Sequence, residues 1–207
     1  MMDHIDQIRR FTFSRIQRIL TAPSDSAARA AMARLRRGIG HTPGELPELW
    51  GEFLLELPKE LHGHGLEVSR EEWAIYTALT LFAYHQQSKS RDSEPMHRQG
   101  ISLGDAARRL VKDEAEDRER VARRFYPVAT ASDMTELNYH LRSLVSLLRS
   151  ESIALDYAKL AADLYLFQLP SAADGVKLRW GEDFCKLYIN ETEDSERKTD
   201  NEETDLP

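Results

Sequence analysis

Arginine is the residue of this chain best equipped for chemistry on a ligand: there are 21, against seven lysines, and many are bunched. Arg34, Arg36 and Arg37 fall together, Arg108 and Arg109 are adjacent, and Arg118, Arg120, Arg123 and Arg124 form a third cluster. A guanidinium is a planar fork of donors that stays charged and is weakly hydrated. It therefore grips two oxygens of a phosphate, or of a carboxylate, in parallel. Both uses are open here. Asp117 and Glu119 sit inside the third cluster and favour internal pairing there. Arg29 and Arg36 are seven apart and share a helix face, as do Arg142 and Arg149 on the side opposite a leucine face. If the segments carrying Arg36, Arg108 and Arg142 pack side by side, their edges merge into a stripe. Such a stripe follows a phosphate backbone without reading bases. Phe125 and Tyr126, beside Arg123 and Arg124, are the aromatic pair best placed to stack on a base. Trp73, Tyr76 and Tyr84 read as core.

Other chemistries find less support. His62 and His64 stand two apart in HGHG, but there is no HExxH or CxxC to frame a zinc site, and no metal or other cofactor is expected. Nucleophile motifs such as GxSxG and SxxK are absent, as are a Walker A loop and GxGxxG. Glu71/Glu72 and Asp113/Glu114 look like caps and exposed faces rather than converging catalytic carboxylates. The chain reads as a binding protein and not an enzyme. The single cysteine, Cys185, excludes an internal disulfide and reads as a small packing residue suited to a reducing compartment.

The net charge of -7 hides an asymmetry. Residues 191–207 hold eight acids and two bases, so this segment carries -6 and the rest of the chain is nearly neutral. A near-neutral body with clustered arginine can present a basic face. The acidic segment lacks apolar residues before Leu206 and reads as a disordered tail following a helical domain of residues 1–190. MMDHIDQIRRFTF has charges where a secretory leader would be apolar. The most apolar run, Trp73–Tyr84, is far shorter than the roughly 20 residues that span a bilayer. A soluble cytoplasmic protein without membrane contact is expected.

The elements that must position the arginines are helical. Ile5, Ile8, Thr12, Ile16 and Ile19 recur at helical spacing, and Pro23 closes that segment. An alanine-rich helix follows, capped by Ser24 or Ser26 and stopped at Gly38. Residues 39–68 are broken by proline and glycine, with room for one short helix over Glu48–Leu57. Ser69 and Glu72 form a capping box for a helix apolar on most sides, which marks a central element. Ser102 caps a further helix with Asp105 at its third position. Residues 112–120 are charged apart from Ala115 and form either a solvated helix or a connection, and Pro127 breaks the pattern. Asp133 and Glu136 make a capping box for a helix with Leu137, Leu141, Leu144, Val145 and Leu148 inward, and another covers Leu155–Phe167. Val176, Leu178 and Trp180 alternate as a short strand or extended arm, and Asp183–Tyr188 forms a last short helix. The expected class is all-α, a compact bundle of about seven to eight helices.

Several strings, in order, resemble the CasB family, the small subunit of the type I-E CRISPR Cascade complex. They are ARLRRG (33–38), ALTLFAYHQQ (78–87), MHRQGISLGDAARRL (96–110), RRFYPVATASDMTEL (123–137), HLRSLVSLLRSESIALDYAKLAADL (140–164) and RWGEDF (179–184). The resemblance implies an all-helical, non-catalytic subunit of an RNA-guided antiviral complex. It also implies partners: the backbone and large subunits, a second copy of itself, the target and displaced DNA strands, and the guide RNA mainly indirectly. Such a subunit steadies the R-loop. By motif match the DNA-contacting role falls on Arg34, Arg36, Arg37, Arg108 and Arg109, then on Arg123, Arg124 and Arg142. Competing readings are a scaffold that touches no DNA, a stand-alone enzyme, and a helix-turn-helix regulator using Gly104–Arg109.

Overall fold

The computed structural model describes residues 2–64 and 67–186. The acidic tail of residues 191–207 and the end of the helix expected at Asp183–Tyr188 lie outside the described residues. Within them the protein is all-α, with nine α-helices and no strand. These are α1 (Met2–Leu20), α2 (Asp25–Arg37), α3 (Trp50–Phe53), α4 (Arg70–His85), α5 (Leu103–Arg108), α6 (Asp117–Thr130), α7 (Met134–Ser150), α8 (Tyr157–Phe167) and α9 (Ala173–Cys185). None is long and apolar enough to cross a membrane.

Helix α4 is the axis. Ser69 Oγ accepts the Glu72 amide at 2.9 Å while the Glu72 carboxylate accepts the Ser69 amide at 2.8 Å, so two orphan donors of the first turn are satisfied. Twelve of its sixteen residues are buried, as an element apolar on most sides requires. Helices α1, α2, α3, α7 and α8 pack around it. At its end His85 Nδ1 and the Tyr157 hydroxyl share a hydrogen bond of 2.9 Å, and burial pushes the imidazole down to about 4. His85 is thus neutral and tied across to α8.

A second packing unit joins α5, α6 and α9. Gly104 is required there: a Cβ on it would lie 2.2 Å from the Trp180 carbonyl oxygen. Trp180 Nε1 donates to the buried carboxylate of Asp163 at 2.9 Å, and Phe184 stacks on Phe125. These contacts explain two departures from the sequence pattern, and a third is local to the start of α7. Val176, Leu178 and Trp180 belong to α9 rather than a strand, because Val176 and Trp180, four apart, anchor one helical face in the core. Pro127 lies inside α6: it removes one helical hydrogen bond, but Phe125 and Val128 bury on either side and outweigh it. Asp133 caps α7 as expected, yet Glu136 turns back to the Ser132 amide instead of the Asp133 amide. In the segment 39–68, the short helix is confined to a 3-10 turn at Pro47–Leu49 and to α3.

Candidate nucleic-acid interface

The candidate site lies on α7, where it packs between α4 and α6. The leucine face of α7 is fully buried, so Arg142 and Arg149, two helical turns apart, are turned to the surface together. Between them stands the half-buried ring of Tyr84 from α4. The Arg149 guanidinium lies 4.4 Å from the ring centroid and that of Arg142 5.9 Å. Arg149 also donates to Gln87 Oε1 at 3.1 Å. Arg124 enters from α6 and donates to Ser143 Oγ at 2.8 Å. Arg124, Arg142 and Tyr84 line an open groove of about 470 Å³ with Tyr139, Ser143 and Ser146. Arg36, at the end of α2, completes the group. Partial burial and the nearby charge of Arg149 both disfavour its proton, so its pKa is lowered.

Arg36, Arg124, Arg142 and Arg149 have no ion pair among the described residues. Their neighbours are each other, a ring, an amide and a hydroxyl. Cations gathered in this way repel at short range, most where water is partly excluded, and an anion laid among them relieves the repulsion. Two of the fixed groups, the Ser143 hydroxyl and the Gln87 side chain, hold guanidinium orientation without neutralising charge.

The other arginines singled out by sequence have different surroundings. Arg34 donates through Nε to Glu52 at 2.7 Å. Arg37 is exposed, with Glu48 at 3.9 Å. Arg108 is 7% exposed, pairs with Glu114 and donates to the Lys186 carbonyl at 3.0 Å, so it clamps α5 to the chain beyond α9. Arg109, beside it, is exposed and has no ion pair among the described residues. Arg118, Arg120 and Arg123 pair with Glu114, Asp117 and Glu119, as the acids interspersed with them suggested. The stripe is therefore built from α2, α6 and α7. Helix α5 does not supply Arg108 to it.

Further expectations change. Phe125 is 1% exposed and belongs to the core, leaving only Tyr126 outside. Trp73 and Tyr84, read as core, are half-buried and line surface hollows. Cys185 is exposed at the end of α9 rather than packed. The surface of α5 excludes a recognition helix, since Leu103, Gly104, Ala106, Ala107 and Arg108 are all buried. Among the described residues no three histidine, cysteine or acidic side chains are gathered to hold a metal ion. Arg149 and Tyr84 were missed as site residues. The seven-residue spacing from Arg142 pointed to Arg149, but nothing local pointed to Tyr84.

Comparison with known proteins adds to this geometry. Residues 31–184 match the family described as CRISPR-associated protein Cse2. The crystal structure of CasB from Thermobifida fusca is similar with 35% sequence identity and a TM-score of 0.69, over 87% of this chain and 98% of that one. A CRISPR-associated protein of the Cse2 family from Thermus thermophilus shares the fold at 23% identity and a TM-score of 0.62, over 86% and 96% of the two chains. A chain of a CRISPR RNA-guided surveillance complex does so at 21% identity and a TM-score of 0.64, over 87% and 92%. No curated protein matches.

Proposed function

The chain belongs to the CRISPR-associated Cse2 family, and from that premise we propose that it is a non-catalytic subunit of an RNA-guided surveillance complex that holds a DNA backbone along the α7 groove. One observation carries the reading: Arg124 and Arg142 line one groove, Arg149 lies on the same Tyr84 ring as Arg142, Arg36 is close enough to feel the charge of Arg149, and none of the four has an ion pair among the described residues. Replacing a DNA duplex by an RNA–DNA hybrid is nearly balanced, so protein contacts to the strand backbones decide whether the R-loop persists. The contacts must tolerate every sequence, and guanidinium forks on phosphates do so. Arg37, Arg109 and Arg123, exposed on other edges, are available for looser phosphate contacts or for neighbouring subunits. Arg34 and Arg108 act within the fold in this reading.

A scaffold role on a different face is favoured by a separate observation. Trp50 and Val68 are large apolar side chains left exposed, and with Phe53 they line a hollow beside α3. Apolar surface of this kind suits contact with a protein subunit.

The test uses the assembled complex. The chain is tagged, expressed with its candidate partner subunits and a guide RNA, and purified as a particle. Arg142→Glu/Arg149→Glu is expected to enter the particle normally and to shorten R-loop lifetime. A double variant that assembles and leaves the lifetime unchanged refutes the groove. One that fails to assemble, while still folded, transfers the arginines to a purely protein-binding role.

A further inference from the structure

The groove does not end at Arg142. Toward the segment 39–42 it opens into a second hollow of about 200 Å³, walled by Ile39, Thr42, Trp73, Asn138, Tyr139 and Arg142. Tyr139 and Arg142 line both hollows, so the two adjoin. The linings differ. The groove carries Arg124 and Arg142, whereas the hollow joins Arg142 and His41 to two aromatic side chains and an amide.

Tyr139 is 73% exposed and contributes almost nothing to the core. A large ring held out beside a row of arginines is a stacking surface. Asn138, one residue before it, is 8% exposed, and its Oδ1 has no hydrogen-bond partner among the described residues. A buried amide left unpaired is costly, and a ligand carrying a donor or an acceptor removes the cost. A half-turn of the amide exchanges its carbonyl for its two N–H donors.

We propose that this hollow receives one unstacked nucleobase of a single strand whose phosphates lie in the groove. The base stacks against Tyr139 and Trp73, Asn138 hydrogen-bonds its edge, and Arg142 holds the adjoining phosphate. The inference rests on the function proposed above and narrows it. A paired, stacked base cannot enter, so the site selects single strand over duplex. All four bases have a π-face and an edge with donors or acceptors, and an amide that presents either meets any of them. The pocket thus orders the strand without imposing a sequence.

The experiment measures fluorescence anisotropy of a labelled mixed-sequence single strand with the full-length chain at low salt. A single abasic nucleotide is walked along the strand. One or two abasic positions are expected to weaken binding roughly tenfold, the scale of one lost stacked base. Tyr139→Ala weakens the intact strand by the same factor and erases the dependence on abasic position, while Tyr139→Phe retains both. Equal affinity at every abasic position, with Arg142→Glu/Arg149→Glu still weakening binding, overturns the pocket and leaves the backbone reading standing. An intact strand that does not bind, or binds regardless of the arginines, defeats that reading and the pocket with it. Tyr139→Ala that spares DNA binding but releases the chain from the assembled complex also overturns the pocket, and assigns the hollow to a partner protein's anchoring side chain.

Discussion

Two regions of this protein are rich in arginine, and they differ in how much of that charge is neutralised internally. Around α5 and α6, Arg108, Arg118, Arg120 and Arg123 each face a carboxylate of the same neighbourhood. Around α7, Arg36, Arg124, Arg142 and Arg149 have no ion pair among the described residues. The denser cluster in the sequence is the quieter one in space. Arginine density therefore does not mark a phosphate site, because a guanidinium serves a carboxylate as readily as a phosphate. The informative quantity is which guanidiniums remain without a carboxylate after the chain has folded.

Acid separates the regions most. Groove arginines keep their charge at any ordinary pH, but the core beside them contains His85, held at about 4 by burial. His97 is lowered too, chiefly by burial. An unfolded histidine takes up its proton near 6.5. Stability contributed by a neutral buried His85 is thus complete above about 6.5 and is lost as pH falls toward about 4, an effect of roughly 3 kcal/mol. Thermal unfolding followed across that window is expected to show a steep fall. A flat profile places the imidazole in contact with water.

The next largest effect strikes the groove alone. Arg142→Glu/Arg149→Glu is expected to weaken DNA binding about a hundredfold at low salt, or about 2.7 kcal/mol, without changing the unfolding temperature. It should also flatten the dependence of log affinity on log salt by about 1.4–1.8, the share of two phosphate contacts. An unchanged slope breaks the contrast between the regions.

Arg108→Ala is the mirror image. Losing the charged hydrogen bond from a buried guanidinium to the Lys186 carbonyl is expected to cost about 1.5–3 kcal/mol of stability, with the salt slope of DNA binding retained. Chemical denaturation checks the first part and a salt titration the second. The smallest effects belong to Arg118→Ala, Arg120→Ala and Arg123→Ala. These solvent-screened pairs are expected to leave the unfolding temperature nearly unchanged and DNA affinity hardly altered. A marked loss of affinity in any of the three moves the site toward α6.

Much of this was legible in the residues alone. The caps at Ser69, Ser102 and Asp133 lie where the sequence places them, and Ser24 is the one of its two candidates that caps α2, because a cap needs only a hydroxyl or carboxylate three positions before an orphan amide. The leucine periodicity of α7 determined that Arg142 and Arg149 share its outer face. Neighbouring acids announced the pairing of Arg118, Arg120 and Arg123, since partners three or four positions apart on a helix meet without help from the rest of the fold.

What the tertiary structure decided was the fate of each remaining charge and ring. Arg34 meets Glu52 and Arg108 meets the Lys186 carbonyl because other elements bring those acceptors across the chain. Tyr84 packs on the core with one side of its ring left open, and Val176 and Trp180 enter the core as a helix, because the packing of α7 on α4 and of α9 on α5 settles which faces are covered. A helical pattern states which residues point the same way. Whether that direction holds solvent, a carboxylate or a groove depends on elements far away in sequence, and nothing local encodes it.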